Sequence, residues 1–564
     1  MKAFMKLILL VLCLEHSANS QQANPAASVN GQLKDRIDRL AATMVEKGGP
    51  GFSVAVVRDQ QVLLKAAYGM SNIEQGSPLT TESLMNIGSV SKHFTAWAIL
   101  LLEQRGLLST TDDIRTHLPE LPDYGKPITI SHLLYQTSGL PEYLKLFTYA
   151  GIFTNDYRRF EDVYAMMRNL TTLNFPPGTG WQYSNTNYAL LAEIVQRRTG
   201  KPFDMWLSEN LFLPVGMSQS VVPTGRGRIV KNKAESYWWE DGSLIRSTST
   251  GCIPGPTLIY TSAMDMAVWM MSLKNKRTGG KELFDKLCSK GKLNDGQEVP
   301  YSMGIARGKY RGVATIGHSG SDAGFVSDMT YCPEIDLGIA VMGNFTQFQP
   351  NRVRNAILDL LLFPDSTVSA EKNKVPAVAS AVSGKPELPQ RKMLGNYEVE
   401  GKGDILSLFV DRGELWANYL GLGNVELFPK NELTATNSEG DIVIKILDSP
   451  GEGASRIEVN LKGTLLRASR IATDQTGTKT LHAAIGRYYS LMLDVMYTIS
   501  MEGDAFLLKQ RRSVGIHDLA YAGKSTLLCS LGELRLAYDA GGNVTGFTLW
   551  HEHVNSIPFV RVDD

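Results

Sequence analysis

Asn86-Ile87-Gly88-Ser89-Val90-Ser91-Lys92-His93-Phe94 joins a short β-like run to an apolar helix, Phe94-Thr95-Ala96-Trp97-Ala98-Ile99-Leu100-Leu101-Leu102. Residues three apart share a helix face, so Ser89 and Lys92 point the same way, one turn apart. Ser89 falls at the helix N-terminus, where unpaired backbone N–H groups and the macrodipole favour negative charge. A hydroxyl beside an amine at such a place has the makings of an activated nucleophile. Ser-x-x-Lys by itself is a weak motif. The chain holds two more, Ser289-Lys290-Gly291-Lys292 and Ser369-Ala370-Glu371-Lys372. Both lie in polar, turn-rich sequence with no apolar helix behind them.

Upstream, Gln32 to Glu46 carries Leu33, Ile37, Leu40 and Met44 on one stripe and predicts an amphipathic helix. Gly51 to Val57 and Gln61 to Gly69 predict two strands, and the short turn Arg58-Asp59-Gln60 makes them an antiparallel hairpin. Downstream, from Gly106 to about Tyr237, the pattern is mostly helical, with segments at Thr129 to Tyr135, Phe160 to Leu170 and Ala189 to Arg198. The last ends on Thr199-Gly200, a helix-stop signal. Phe175 to Tyr188 holds Pro and Gly residues that predict irregular backbone. A helix around Met264 to Leu273 follows. Strands return at Val313 to His318, Gly324 to Cys332 and Leu337 to Gly343, and a helix from Arg352 to Leu362 closes the unit. Strands at both ends with helices between predict an α+β domain over 32–365: an antiparallel sheet flanked by helices, with an inserted all-helical lobe.

Residues 366–390 are rich in Ala, Ser, Val, Lys and Pro and read as a linker. Beyond it the pattern is all β and repeats. Gly395-Asn396-Tyr397 returns as Gly486-Arg487-Tyr488 and Arg470-Ile471 as Arg561-Val562, each 91 positions later. Short strands in units of this size predict two small antiparallel barrels, 391–475 and 476–564. One larger β-sandwich with accidental matches is the alternative.

At 564 residues the chain is longer than one domain should be. Lys+Arg and Asp+Glu both number 57, and we find no basic block that would track a nucleic-acid backbone. Lys2 and Lys6, the apolar run Leu7 to Leu14 and the small residues Ala18-Asn19-Ser20 have the layout of a secretory signal, cut near Ser20. A lipid anchor at Cys13 is the lesser alternative, because the preceding Leu12 is bulky. No later run is long and apolar enough for a membrane helix. Cys252, Cys288, Cys332 and Cys529 lie far apart and form no Cys-x-x-Cys pair, which argues against a metal site. Asn169, Asn344 and Asn543 each begin an Asn-x-Thr triplet that fits a glycosylation acceptor.

Three segments occur together and in order: Ser89-Val90-Ser91-Lys92, Tyr183-Ser184-Asn185 and His318-Ser319-Gly320. With Gln136-Thr137-Ser138-Gly139-Leu140 and Pro177-Gly178, they resemble the serine β-lactamase and penicillin-binding-protein superfamily, where Ser-x-x-Lys is a known signature. The resemblance is closest to the class C β-lactamase-like branch and runs from about Gln32 to Leu362. It implies a serine hydrolase that needs no metal or cofactor. Ser89 would attack a carbonyl carbon and form an acyl-enzyme. Lys92 and Tyr183 would move its proton, and Asn185 would orient Lys92 and hold the substrate amide. The backbone N–H groups of Ser89 and Ser321, with Gly320 beside them, would bind the oxyanion. His318 stands where many relatives place a Lys that attracts a substrate carboxylate, and Gln136 stands where the family often has His.

A histidine is largely neutral at pH 7, so His318 is a poorer anion anchor than lysine. D-aminopeptidases of the branch have a similar His-x-Gly and two C-terminal lipocalin-like barrels. The expectation is an exported hydrolase of D-amino-acid-containing peptides or amides. A carboxylesterase or β-lactamase of the same fold is one alternative. A penicillin-binding receptor that acylates without turnover is another.

Overall fold

Asp59 and Gln60 both adopt left-handed backbone, with φ of 49° and 63°. Two such residues in a row match the twist of a tight hairpin. They join β1 (Phe52–Arg58) to β2 (Gln61–Tyr68) in the expected antiparallel pair. The computed structural model describes residues 25–152, 156–225, 227–240, 243–247, 251–275, 279–363 and, with short breaks, 392–562. The signal-like start, Cys13 and the linker at 366–390 lie outside the described residues.

Three further strands follow at Ala306–Tyr310 (β3), Val313–Asp322 (β4) and Phe325–Cys332 (β5), and a fourth at Leu337–Gly343 (β6). The six form one antiparallel sheet in the order β2-β1-β6-β5-β4-β3. The N-terminal hairpin thus pairs with the last strand of the unit, and everything between is inserted. β4 runs on through Asp322, past the predicted end at His318, because its pairing with β5 continues to Asp322↔Phe325. Alternate residues of β1 serve opposite faces, as strand geometry requires. Phe52, Val54 and Val56 pack under α1 (Pro25–Met44) with Leu33 and Ile37, while Ala55 and Val57 belong to the core on the other face. The helix begins at Pro25, ahead of its apolar stripe.

The helix after the nucleophile turn, α2 (Ser91–Gln104), is buried along its whole length from Ser91 to Leu102. A helix apolar on every side belongs in the interior. It shares one core with α3 (Ile130–Leu134), α4 (Tyr143–Tyr149), α5 (Phe160–Arg168), α6 (Asn185–Thr199) and α7 (Ala263–Asn275). A last helix, α8 (Pro350–Leu362), lies beside α1 on the outer face of the sheet. Asn344 is fully buried. Its side chain bonds Gly51 N, Met70 O and Glu235 O, so it is unavailable to a glycosylating enzyme. No disulfide joins Cys252, Cys288, Cys332 or Cys529 among the described residues. No described helix is long and apolar enough to cross a membrane.

The C-terminal region is two barrels in tandem. Eight described strands close the first, with Gly395–Val399 pairing to Thr464–Arg470. Nine described strands make the second, again with first paired to last at Tyr488↔Arg561. Its two edges, Ile516–Asp518 and Ala520–Gly523, are consecutive in sequence. They correspond to one strand of the first barrel, Gly423–Asn431. That strand pairs with its predecessor through Leu427 and with its successor from Phe428 onward.

The sequence repeat marks the closing seam of each barrel. Tyr397 donates to Met393 O and Tyr488 to Ala484 O. The Arg470 guanidinium donates to Leu394 O and that of Arg561 to Ile485 O. The first barrel is filled by its own side chains, among them Leu408, Ile444 and Ile457. The second shares a continuous core with the helical lobe. Tyr497 donates to Tyr149 O at 2.8 Å and Tyr149 to Leu531 O at 3.1 Å.

Candidate active site

The turn that carries Ser89 is held from below. Asn86 accepts a bond from Gly88 N through its side-chain oxygen and donates to Asp322 Oδ2, both at 2.9 Å. One amide side chain thereby ties the nucleophile turn to the end of β4. Gly88 has φ of 49°, and a Cβ there would come within 2.6 Å of Ser321 N. A Cβ on Gly320 would overlap the Ile87 carbonyl oxygen. That oxygen also accepts from Ser327 Oγ at 2.7 Å. Two glycines therefore let the turn and the strand touch backbone to backbone, which brings the Ser89 and Ser321 region together.

Ser89 lies in a 3₁₀ turn, Gly88–Val90, that leads into α2. Lys92 is fully buried, and its Nζ lies 3.0 Å from Ser89 Oγ, 2.6 Å from Asn185 Oδ1 and 2.9 Å from Pro256 O. Two of these partners can only accept, so Nζ donates to both. The third direction faces Ser89: an N–H when Lys92 is an ammonium, a lone pair when it is an amine. Burial pulls the Lys92 pKa from 10.5 to about 7, against the opposing pull of Glu142 and Asp322. A neutral amine whose lone pair is aimed at a serine hydroxyl can serve as its general base.

Tyr183 stands over the same amine, its ring centroid 4.8 Å from Nζ. Burial raises its pKa above the usual phenol value, with Ser89 acting against that shift. At neutral pH it is a phenol, fit to pass a proton rather than to begin as a base. Asn185 is the first residue of α6, which starts before the predicted Ala189. Asn185, Thr186 and Asn187 are poor helix formers, but outside partners hold each of them. Glu142 accepts Asn185 N at 2.6 Å, Thr186 donates to Pro141 O, and Asn187 donates to Gln136 Oε1. Glu142 thus satisfies one of the free N–H groups that every helix start leaves.

His318 is recessed in the wall of the cleft. Its Nδ1 faces Ser319 O, and its Nε2 lies 2.9 Å from the Tyr301 hydroxyl. Burial, helped by the Lys92 charge, lowers its pKa to about 4. Tyr301 meets the rings of His318 and Tyr183 edge-on, with centroids 5.6 and 6.0 Å apart. Trp181 lies at the rim, 6.4 Å from Tyr301.

Ser89, Lys92, Tyr183, Asn185, His318, Gly320 and Ser321 therefore converge on one cleft. Glu142, Tyr301, Asn86 and Asp322 complete it and were missed from sequence. Glu142 closely follows the quoted run Gln136 to Leu140, which was the available signal for it. Tyr301 carried none.

A sequence profile of the Beta-lactamase family matches residues 37–363. A D-aminopeptidase of Gluconobacter oxydans (strain 621H) is 29% identical over 328 residues, 56% of this chain and 59% of that protein. A D-aminopeptidase of Brucella anthropi (strain ATCC 49188) is 26% identical over 546 residues, 92% of this chain and 96% of that one. Penicillin-binding protein 4* of Bacillus subtilis (strain 168) is 25% identical and covers 71% of this chain and 90% of that protein. Among solved structures, the octameric penicillin-binding protein homologue from Pyrococcus abyssi superposes with a TM-score of 0.53 at 22% identity, covering 78% of this chain and 99% of that one.

Proposed function

Since this chain belongs to the Beta-lactamase family and is a serine hydrolase of that fold, we propose that its acyl donors are peptides or amides of D-amino acids. The observation that carries the reading is the state of His318. Its pKa of about 4 leaves the ring uncharged at neutral pH, and both ring nitrogens are already engaged. The strand position next to the oxyanion site thus offers no positive charge to a substrate carboxylate. Glu142 and Asp322 add negative potential around Lys92, which suits a substrate with a free ammonium group. The D-configuration is supported by similarity to D-aminopeptidases, one of which aligns over 92% of this chain.

In the proposed cycle, Ser89 Oγ gives its proton to the neutral Lys92 amine and bonds to the carbonyl carbon. The oxyanion sits between the backbone N–H groups of Ser89 and Ser321. Such a donor pair acts where charge develops and needs no reorganisation. The C–N bond then breaks as the leaving amine takes a proton from Lys92 by way of the Tyr183 hydroxyl. Water loses a proton along the same route, attacks the ester and frees Ser89 Oγ, which recovers a proton. The products are a carboxylic acid and an amine.

The test is a panel of D-alanine anilide, its L-enantiomer, a short-chain ester and a cephalosporin. D-Alanine anilide should be turned over faster than the L-form, and the cephalosporin slowly. Equal rates on both enantiomers, or preferred cephalosporin hydrolysis, would overturn the reading. We further propose export, with the signal-like segment removed near Ser20. N-terminal sequencing of protein from the source cell should begin close after that residue.

A further inference from the structure

We propose that Tyr301 sets the substrate class by locking His318 in the neutral form that carries its proton on Nδ1. The inference rests on the substrate class proposed above and names the residue responsible for it. The Ser319 carbonyl oxygen next to Nδ1 can only accept, so Nδ1 carries a proton. A neutral imidazole has one N–H, which leaves Nε2 as an acceptor. Among the described residues the hydrogen-bond partner of Nε2 is the Tyr301 hydroxyl, 2.9 Å away, which donates when the ring is in this neutral form. The ring then has no N–H and no charge to give a substrate.

Tyr301 is well placed to hold that state. It is 5% exposed and wedged edge-on between His318 and Tyr183. Its hydroxyl also interacts with Tyr188 and Gln136, so the bond to His318 belongs to a buried network rather than to one isolated pair. Protonating Nε2 would reverse the bond, obliging the Tyr301 hydroxyl to turn its proton elsewhere and accept. The other titratable groups around the ring push the same way or stay neutral. Lys92 and His93 both interact unfavourably with a charge on His318, and Tyr183 is a phenol. From β5, Met329 stands opposite His318, and the neighbouring Asp328 carboxylate is turned to Arg354. From β3, Ala306 stands opposite Gly317. Among the described residues no carboxylate bonds the imidazole to stabilise its charged form. Tyr301 is thus a positioning residue, acting on the substrate through His318.

The experiment compares the full-length wild type with Tyr301→Phe. Magnetic resonance of isotope-labelled histidine should report one fixed tautomer for His318 in the wild type. In Tyr301→Phe the Nδ1 proton should remain, held by the Ser319 carbonyl, but the ring should become protonated at Nε2 at higher pH than in the wild type. The ratio of cephalosporin acylation to D-alanine anilide hydrolysis should rise about tenfold at pH 6 and little at pH 8, because only a protonated histidine attracts the carboxylate. A second variant, His318→Lys with Tyr301 intact, should raise the same ratio at both pH values. A folded Tyr301→Phe protein with an unchanged ring spectrum and an unchanged ratio overturns the role of Tyr301. A wild type that spares D-alanine anilide while its ring stays locked overturns the substrate class instead.

Discussion

Lys92 has to lose a proton before it can take one from Ser89, so the activity of the site reports its charge. Burial has moved its pKa down to about 7, and kcat/KM should rise with pH through that value. Glu142 works in the opposite direction by favouring the ammonium. Glu142→Gln keeps an oxygen for Asn185 N but removes the charge, so the acid limb of the pH–rate profile should move to lower pH. An acid limb that stays put in Glu142→Gln would mean that Glu142 serves the fold alone. Ser89→Ala should abolish both turnover and labelling by a fluorescent phosphonate; label on another serine would refute the nucleophile. Ser89 and Lys92 were legible as candidates because a short, fixed spacing puts them on one helix face, whereas Tyr183 was legible only through the resemblance of Tyr183-Ser184-Asn185 to the family. Glu142 and Asp322 were not, because each acts on a partner far along the chain: Asn185 lies 43 positions from Glu142, and Asn86 lies 236 from Asp322. Tyr301 is nearer to His318, but no spacing rule links a tyrosine in a loop to a strand histidine.

At the scale of elements, the close approach of the nucleophile turn to β4 depends on two missing side chains. Gly320→Ala would drive a methyl group into the Ile87 carbonyl oxygen and push β4 away from Ser89. If one oxyanion donor is lost, kcat should fall by about a hundredfold or more. Circular dichroism should show the secondary structure intact; a fully active Gly320→Ala would place the oxyanion elsewhere. The strands of this sheet were readable because β1, β5 and β6 are buried runs bounded by turn residues, and Leu337–Gly343 falls where expected. The start of α6 was not readable. Asn185-Thr186-Asn187 reads as loop by propensity, and only the contacts from Pro141, Glu142 and Gln136 make it helix.

On the scale of the whole molecule, the two barrels differ in how they are joined. The first has its own closed core, while the second is fused to the helical lobe through Tyr149, Tyr497 and their neighbours. Calorimetry should therefore show the first barrel melting apart from the rest, and the second barrel melting with the catalytic unit. A single transition for all three would contradict this division. Asn555 bonds Asn174 twice across the joint, at 2.8 and 3.0 Å. Asn555→Ala removes only the side-chain bond to Asn174 O and keeps the one from Asn555 N, so it should lower the stability of the fused unit by about 1 kcal/mol, measured by denaturant unfolding. The tandem arrangement was visible in the repeat of Gly-x-Tyr and Arg. The fusion was not, because it depends on which apolar faces meet rather than on any local pattern.

The fused joint also governs the order in which the chain can fold. Tyr149 bonds Leu531 across 382 positions and Tyr497 across 348. Contacts this distant in sequence are slow to form, because a long loop must close before they return any energy. During synthesis the helical lobe emerges first, with the face around Tyr149 uncovered, and that face waits for the last segment of the chain. Until then it presents apolar surface of the kind that draws non-native association. The nascent protein should accordingly be aggregation-prone up to the completion of its C-terminus, and a chain cut short within the second barrel should accumulate in the insoluble fraction.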